Sequence, residues 1–114
     1  MNLTGKPPLG LKEGKAAKDP DYLAKVRALP CCICQAWGMP QTHPTQAHHP
    51  ICERHGNEKT PDCEAIPLCE GHHQGDFDTT KIAIHRDRAA WVEWFGSDRE
   101  YIAITQDKIE RTKT

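Results

Sequence analysis

Apolar and polar positions alternate along this chain with two different periods. Over residues 21–29, Tyr22, Val26 and Leu29 recur at helical spacing, with Asp19 as an N-cap, Pro20 at the first helical position and Pro30 as a stop. Two brief runs, 46–51 and 65–68, are too short for helices and read as extended segments. Pro67 favours an edge or terminal place for the second of them. The polar, Gly- and Pro-bearing stretch 52–62 between them reads as a long hairpin loop. Helical spacing returns over 85–95, where Ala89, Ala90, Val92, Trp94 and Phe95 supply the apolar surface and Gly96 the C-cap. A last helix spans residue 98 to about residue 111, with Tyr101, Ile102, Ile104 and Ile109 as its apolar positions. The fold class expected is α+β, a strand pair with flanking helices.

Residues 1–18 stand apart. Lys6, Lys12, Lys15 and Lys18 face one acid, Glu13, beside Pro7-Pro8 and glycines, so a flexible basic N-terminal arm is expected, followed by a single domain over 19–114. At 114 residues, with 37% hydrophobic and 6% aromatic residues, the core is thin. Six cysteines and seven histidines offer a staple in its place. Residues 1–6 lack the apolar core of a signal peptide and no window approaches a membrane span, so the expectation is a cytoplasmic chain with reduced thiols. Metal binding then outranks disulfides. The formal net charge of −1 provides no general basic field, and any contact with nucleic acid must be local.

The cysteines and histidines fall into two sets. Cys31 and Cys34 form a C-x-x-C turn, and Cys69 and His72 repeat that spacing with imidazole in the last place. Together they suit a closed, tetrahedral structural zinc site. Cys32 is an alternative ligand, but a C-x-C pair needs a tighter turn. Cys52 and Cys63 match no compact knuckle and read as free thiols. Of the other histidines, His48, His49, His73 and His85 are enough for a second metal with an open face. Neighbours in a strand point to opposite sides, so His48 and His49 do different things: one holds metal, the other takes a proton. Histidine suits that second role because its ordinary pKa lies near neutrality.

The stretch Ala47-His48-His49, then Asp62, then Ile66-Pro67-Leu68-Cys69-Glu70-Gly71-His72-His73 and Ile84-His85-Arg86, resembles the HNH (ββα-metal) endonuclease superfamily. Within it the pattern looks most like phage Ref-like recombination-enhancing nucleases, over roughly residues 22–95. The resemblance implies a zinc-stapled ββα-metal (His-Me finger) core. It implies His48, His73 and His85 as ligands of a catalytic divalent metal (Mg²⁺, Mn²⁺ or Zn²⁺) and His49 as general base. Cys31, Cys34, Cys69 and His72 would hold structural Zn²⁺. For the middle position of the signature, usually asparagine, Asn57, Asp62 and Glu64 are available, and Asp62 is chosen. The gap before His85 is longer than the common pattern, and Asp76 or Asp78 is its alternative.

The implied activity is metal-assisted phosphodiester hydrolysis of DNA with low intrinsic sequence specificity, Arg86 or Arg88 binding nucleic acid and stabilising the transition-state charge. The same resemblance implies a bacterial host cell as the setting and a recombinase filament as partner. Two rivals stand beside it: a non-catalytic zinc module that binds DNA or protein, and a metal-dependent hydrolase of another substrate.

Overall fold

The computed structural model describes residues 18–53 and 59–112. The expected basic arm, apart from Lys18, lies outside them, as do Asn57 and His55 of the polar loop. Helix α1 (Pro20–Arg27) starts where Asp19 accepts the Tyr22 N–H at 3.1 Å. Helix α2 (Cys32–Trp37) follows, capped by the Cys31 sulfur and closed by Gly38 at φ 67°. The expected C-x-x-C turn is thus the first turn of a helix, which carries the chain as far as Trp37 before the polar loop begins.

Strands β1 (Thr45–His48) and β2 (Ile66–Cys69) pair antiparallel, with Thr45 opposite Cys69 and His48 opposite Ile66. Ala47 faces Pro67, which a two-stranded ribbon tolerates because both strands are edges. A bare two-stranded ribbon is marginal in water. Here it is covered on both faces. Ile66 and Leu68 enter the larger core with Cys31, Ile33, Ile84, Trp91, Phe95 and Tyr101. Ala65, out of phase with them, joins Val26 and Ile109 in a smaller core against α1 and the last helix. No disulfide joins the six cysteines. No helix among the described residues is long and apolar enough to cross a membrane.

β2 runs directly into α3 (Glu70–His73), a single turn of helix. Helix α4 (Arg88–Phe95) begins later than expected, because Asp87 turns its side chain onto the Ala90 N–H at 3.1 Å and caps the helix there. His85 therefore sits in a turn ahead of the helix. The buried face of α4 is Trp91 and Phe95, whereas Trp94, expected inside, is 65% exposed. A 3-10 turn (Asp98–Tyr101), held by a Ser97–Glu100 capping box, precedes α5 (Ile102–Thr112). Tyr101, Thr105 and Ile109 are buried along this segment, and Ile104 is not.

Candidate metal centres

The loop after α3 decides where the histidines meet. The buried Glu70 carboxylate accepts the backbone N–H groups of Asp76, Phe77 and Asp78 at 2.6, 3.1 and 2.8 Å, which folds that loop back on α3. These three donors hold the Glu70 carboxyl below its ordinary pKa. Gly75 permits the tight return: its φ is 70°, and a Cβ there would lie 2.7 Å from Ala83. The chain then runs back beside α3, with the Ile84 N–H donating to His72 O at 2.9 Å and the His85 N–H to His73 O at 3.1 Å. These two bonds close the long gap in sequence between His73 and His85.

Cys31, Cys34, Cys69 and His72 converge in the interior, all four buried. The Cys34 and Cys69 sulfurs are 3.8 Å apart, and His72 Nδ1 lies 3.6, 3.6 and 3.3 Å from Cys31, Cys34 and Cys69. A tetrahedron with metal–sulfur arms of about 2.3 Å has edges of about 3.8 Å. The donor set therefore has the size of a four-coordinate shell and could hold a metal ion. Thiol acidity reflects the crowding. Burial and then the neighbouring Cys69 push Cys34 up to about 11. The hydrogen bond to Cys31 and burial push Cys69 up to about 12, while the same bond lowers Cys31. Cys32 is buried but not in the cluster, and its thiol is pushed up by desolvation. Cys52, buried, and Cys63, exposed, belong to neither centre.

The second cluster is His48, His73 and His85, whose ligand atoms lie within 4.8 Å of one another. Their ring centroids are 4.8 to 5.3 Å apart. His73 donates Nδ1–H to Gln46 Oε1 at 2.7 Å, which leaves its Nε2 as a lone-pair donor. His48 is 1% exposed; Nε2 contacts an Asp98 carboxylate oxygen at 2.9 Å, while Nδ1 is buried with no hydrogen-bond partner. Such an orphaned nitrogen costs about 1–3 kcal/mol unless something binds it. A divalent cation fits that unpartnered nitrogen and the imidazole donor set. Burial, then His48 and His85, push His73 down to about 3. Desolvation and then His48 lower His85 too. Neutral imidazole is the form that ligates metal.

His49 points elsewhere. Its Nε2 is 2.8 Å from Asp62 Oδ1, and its side chain is 39% exposed. Asp62 opens a 3-10 turn (Asp62–Glu64) where the polar loop meets β2. Its other oxygen accepts the Asp19 N–H at 2.7 Å, and that donor, then His49, hold the carboxyl below its ordinary range. An ionised carboxylate accepts only, so His49 donates Nε2–H to Asp62. Glu64 pairs instead with Arg99 at 3.6 Å. Neither alternative to His85 lies in the cluster: Asp76 pairs with Arg86 at 3.4 Å, and Asp78 is turned onto Lys81, Thr80 and Thr42. Arg86 and Arg88 are exposed, Arg86 immediately after His85.

Two partners had no counterpart in the sequence reading, Gln46 behind His73 and Asp98 behind His48. Gln46 could have been found, since it shares a strand face with His48. Asp98 carried no local sign beyond its place at a helix start. Desolvation raises the Asp98 carboxyl, but His48 and the Ile51 N–H outweigh it and keep it below its ordinary value.

Fold and site together define a small α+β protein with a closed Cys/His cluster and, beside it, a cluster of three histidines. The chain belongs to the family described as protein of unknown function (DUF968), whose model matches residues 11–110. Comparison with the curated proteins and with the solved structures gave no match.

Proposed function

We propose that this protein is an HNH-type (ββα-metal) endonuclease, a metal-dependent phosphodiester hydrolase acting on DNA. The observation that carries the reading is the split of the doublet: His48 belongs to the three-histidine cluster, while its neighbour His49 is half-exposed and bonded to Asp62. A hydrolytic site needs that division, ligands on one side and a base facing solvent on the other. The order β1, loop, β2, α3 agrees with the resemblance drawn from the sequence.

In this reading Cys31, Cys34, Cys69 and His72 hold structural zinc, which three thiolates and an imidazole suit. A divalent cation held by His48, His73 and His85 would supply charge neutralisation to a bound phosphodiester. His49 Nδ1 takes the proton of the attacking water as its oxygen bonds to phosphorus and the P–O3′ bond breaks, the departing 3′ oxygen taking a proton from solvent. Asp62 holds the ring with Nε2–H directed away from the water. The base contributes about 10²–10⁴-fold. Arg86, displaced from Asp76, or Arg88 contacts the phosphate backbone. A recombinase filament as partner and a phage setting rest on the resemblance alone.

Incubation with supercoiled plasmid and Mg²⁺ or Mn²⁺, with an EDTA control, tests the activity. The expected products are nicked and linear DNA with metal and unchanged plasmid with EDTA. Intact plasmid across all metals would overturn the DNA nuclease and leave the two rivals, a non-catalytic module and a hydrolase of another substrate. One observation favours the non-catalytic module: Trp37 and Trp94 are 54% and 65% exposed, and a groove of about 220 Å³ lies between Met39, Ile82, Trp94 and Phe95.

A further inference from the structure

The segment after α4 lies outside the strand pair and α3, yet it reaches the three-histidine cluster. Asp98 is 0% exposed and contacts His48 Nε2 at 2.9 Å, 50 positions away in sequence. The oxygen that meets His48 also accepts the Ile51 N–H at 2.7 Å, and the second oxygen accepts the Cys52 N–H at 3.2 Å. Arg99, the next residue, donates Nε–H to Cys52 O at 2.5 Å. Two successive residues of the 3-10 turn therefore clamp the chain just beyond the His48-His49 doublet. A carboxylate buried this completely is costly unless its acceptors are filled. The side chain that meets it is an imidazole rather than a lysine or arginine.

We propose that Asp98 is the positioning residue of the three-histidine site, fixing His48 as its Nε2–H tautomer so that the Nδ1 lone pair faces His73 and His85. A histidine ligand commonly donates its second ring N–H to a carboxylate, which sets ring orientation and strengthens the ligating nitrogen. The buried, unpartnered Nδ1 of His48 is the nitrogen this arrangement leaves for a metal. A mere anchor for residues 51–52 would need only the two backbone donors. The contact with His48 is the part that an anchoring role does not use. The inference rests on reading His48, His73 and His85 as a metal site, and it adds a residue from the C-terminal segment to it.

The test is Co²⁺ titration of the chain carrying one zinc, read by the cobalt d–d absorption. Wild type should bind one further Co²⁺. Asp98→Asn should retain its zinc and helical circular dichroism, bind that Co²⁺ about 10–100-fold more weakly, and show an altered band. His48→Gln offers an N–H to Asp98 but no Nδ1, so it should stay folded and lose the cobalt. A wild-type Co²⁺ affinity and spectrum in Asp98→Asn would overturn the proposal. Absence of cobalt binding by wild type would overturn the site itself, which is a different result. Should Asp98→Asn fail to fold, long-range ¹⁵N–¹H spectra of the wild-type imidazoles decide: protonated Nε2 on His48 supports the proposal, and protonated Nδ1 sinks it.

Discussion

His48 and His49 are adjacent, yet one is buried among rings and the other is bonded to a carboxylate near solvent. If His49 is the base, His49→Ala should lower single-turnover cleavage about 10²–10⁴-fold. Zinc content, circular dichroism and DNA affinity should stay near wild type, because a base acts on the transition state and not on the ground state. Asp62→Ala should show a smaller loss of the same kind, since the imidazole remains but its Nε2 partner does not. If His49→Ala cuts DNA normally while His48→Ala is dead, the roles within the doublet are exchanged.

Among the elements, the closed cluster ties α2 to β2 and α3, and each of these is only a few residues long. Structural metal sites supply folding free energy of about 10 kcal/mol, more than so small a core can replace. Cys69→Ser should therefore lose zinc and unfold, as read by atomic absorption and circular dichroism; a folded, zinc-free variant would refute the knuckle. Cys63→Ser, exposed and in neither cluster, should be nearly silent. Helix α4 makes a separate prediction. Trp91→Ala empties a fully buried position and should cost about 3–5 kcal/mol in urea unfolding, whereas Trp94→Ala at the exposed face should change stability by about 0.5 kcal/mol or less.

For the molecule as a whole, the histidine cluster couples stability to acidity. His73 is held at about 3 in the fold against an ordinary value of 6.5. Between those two values the unfolded chain takes up a proton that the folded one refuses, so stability is lost as pH falls below about 6.5 and continues to fall toward 3. Above 6.5 both states are neutral at this residue and the contribution is flat. The urea midpoint of the zinc-loaded protein should therefore drop from pH 7.5 to pH 5.5, and His73→Gln should flatten the drop. An identical slope in both proteins would mean that His73 is not the group responsible.

The parts of this protein legible in its sequence are those written within a few residues. Asp19-Pro20 announces a helix start because cap and first turn are chain neighbours. The C-x-x-C and C-x-x-H spacings suffice to mark the four residues of a cluster that could hold a metal ion, because a single turn presents both side chains of each pair together. His48 and His49 part company, one to the histidine cluster and the other to Asp62, because successive residues near a strand end face opposite ways. The rest depended on contacts between distant segments. Apolar residues surround most of α4, so periodicity did not reveal that Trp91 and not Trp94 faces the core. His85 returns to His73 only through the loop folded on Glu70 and the two backbone bonds beside α3. Asp98 meets His48 across 50 positions, and nothing near either residue encodes that meeting. Local spacing determines which groups this chain offers for chemistry; burial and long-range hydrogen bonding decide which of them meet, because only packing brings remote side chains into one low-dielectric site.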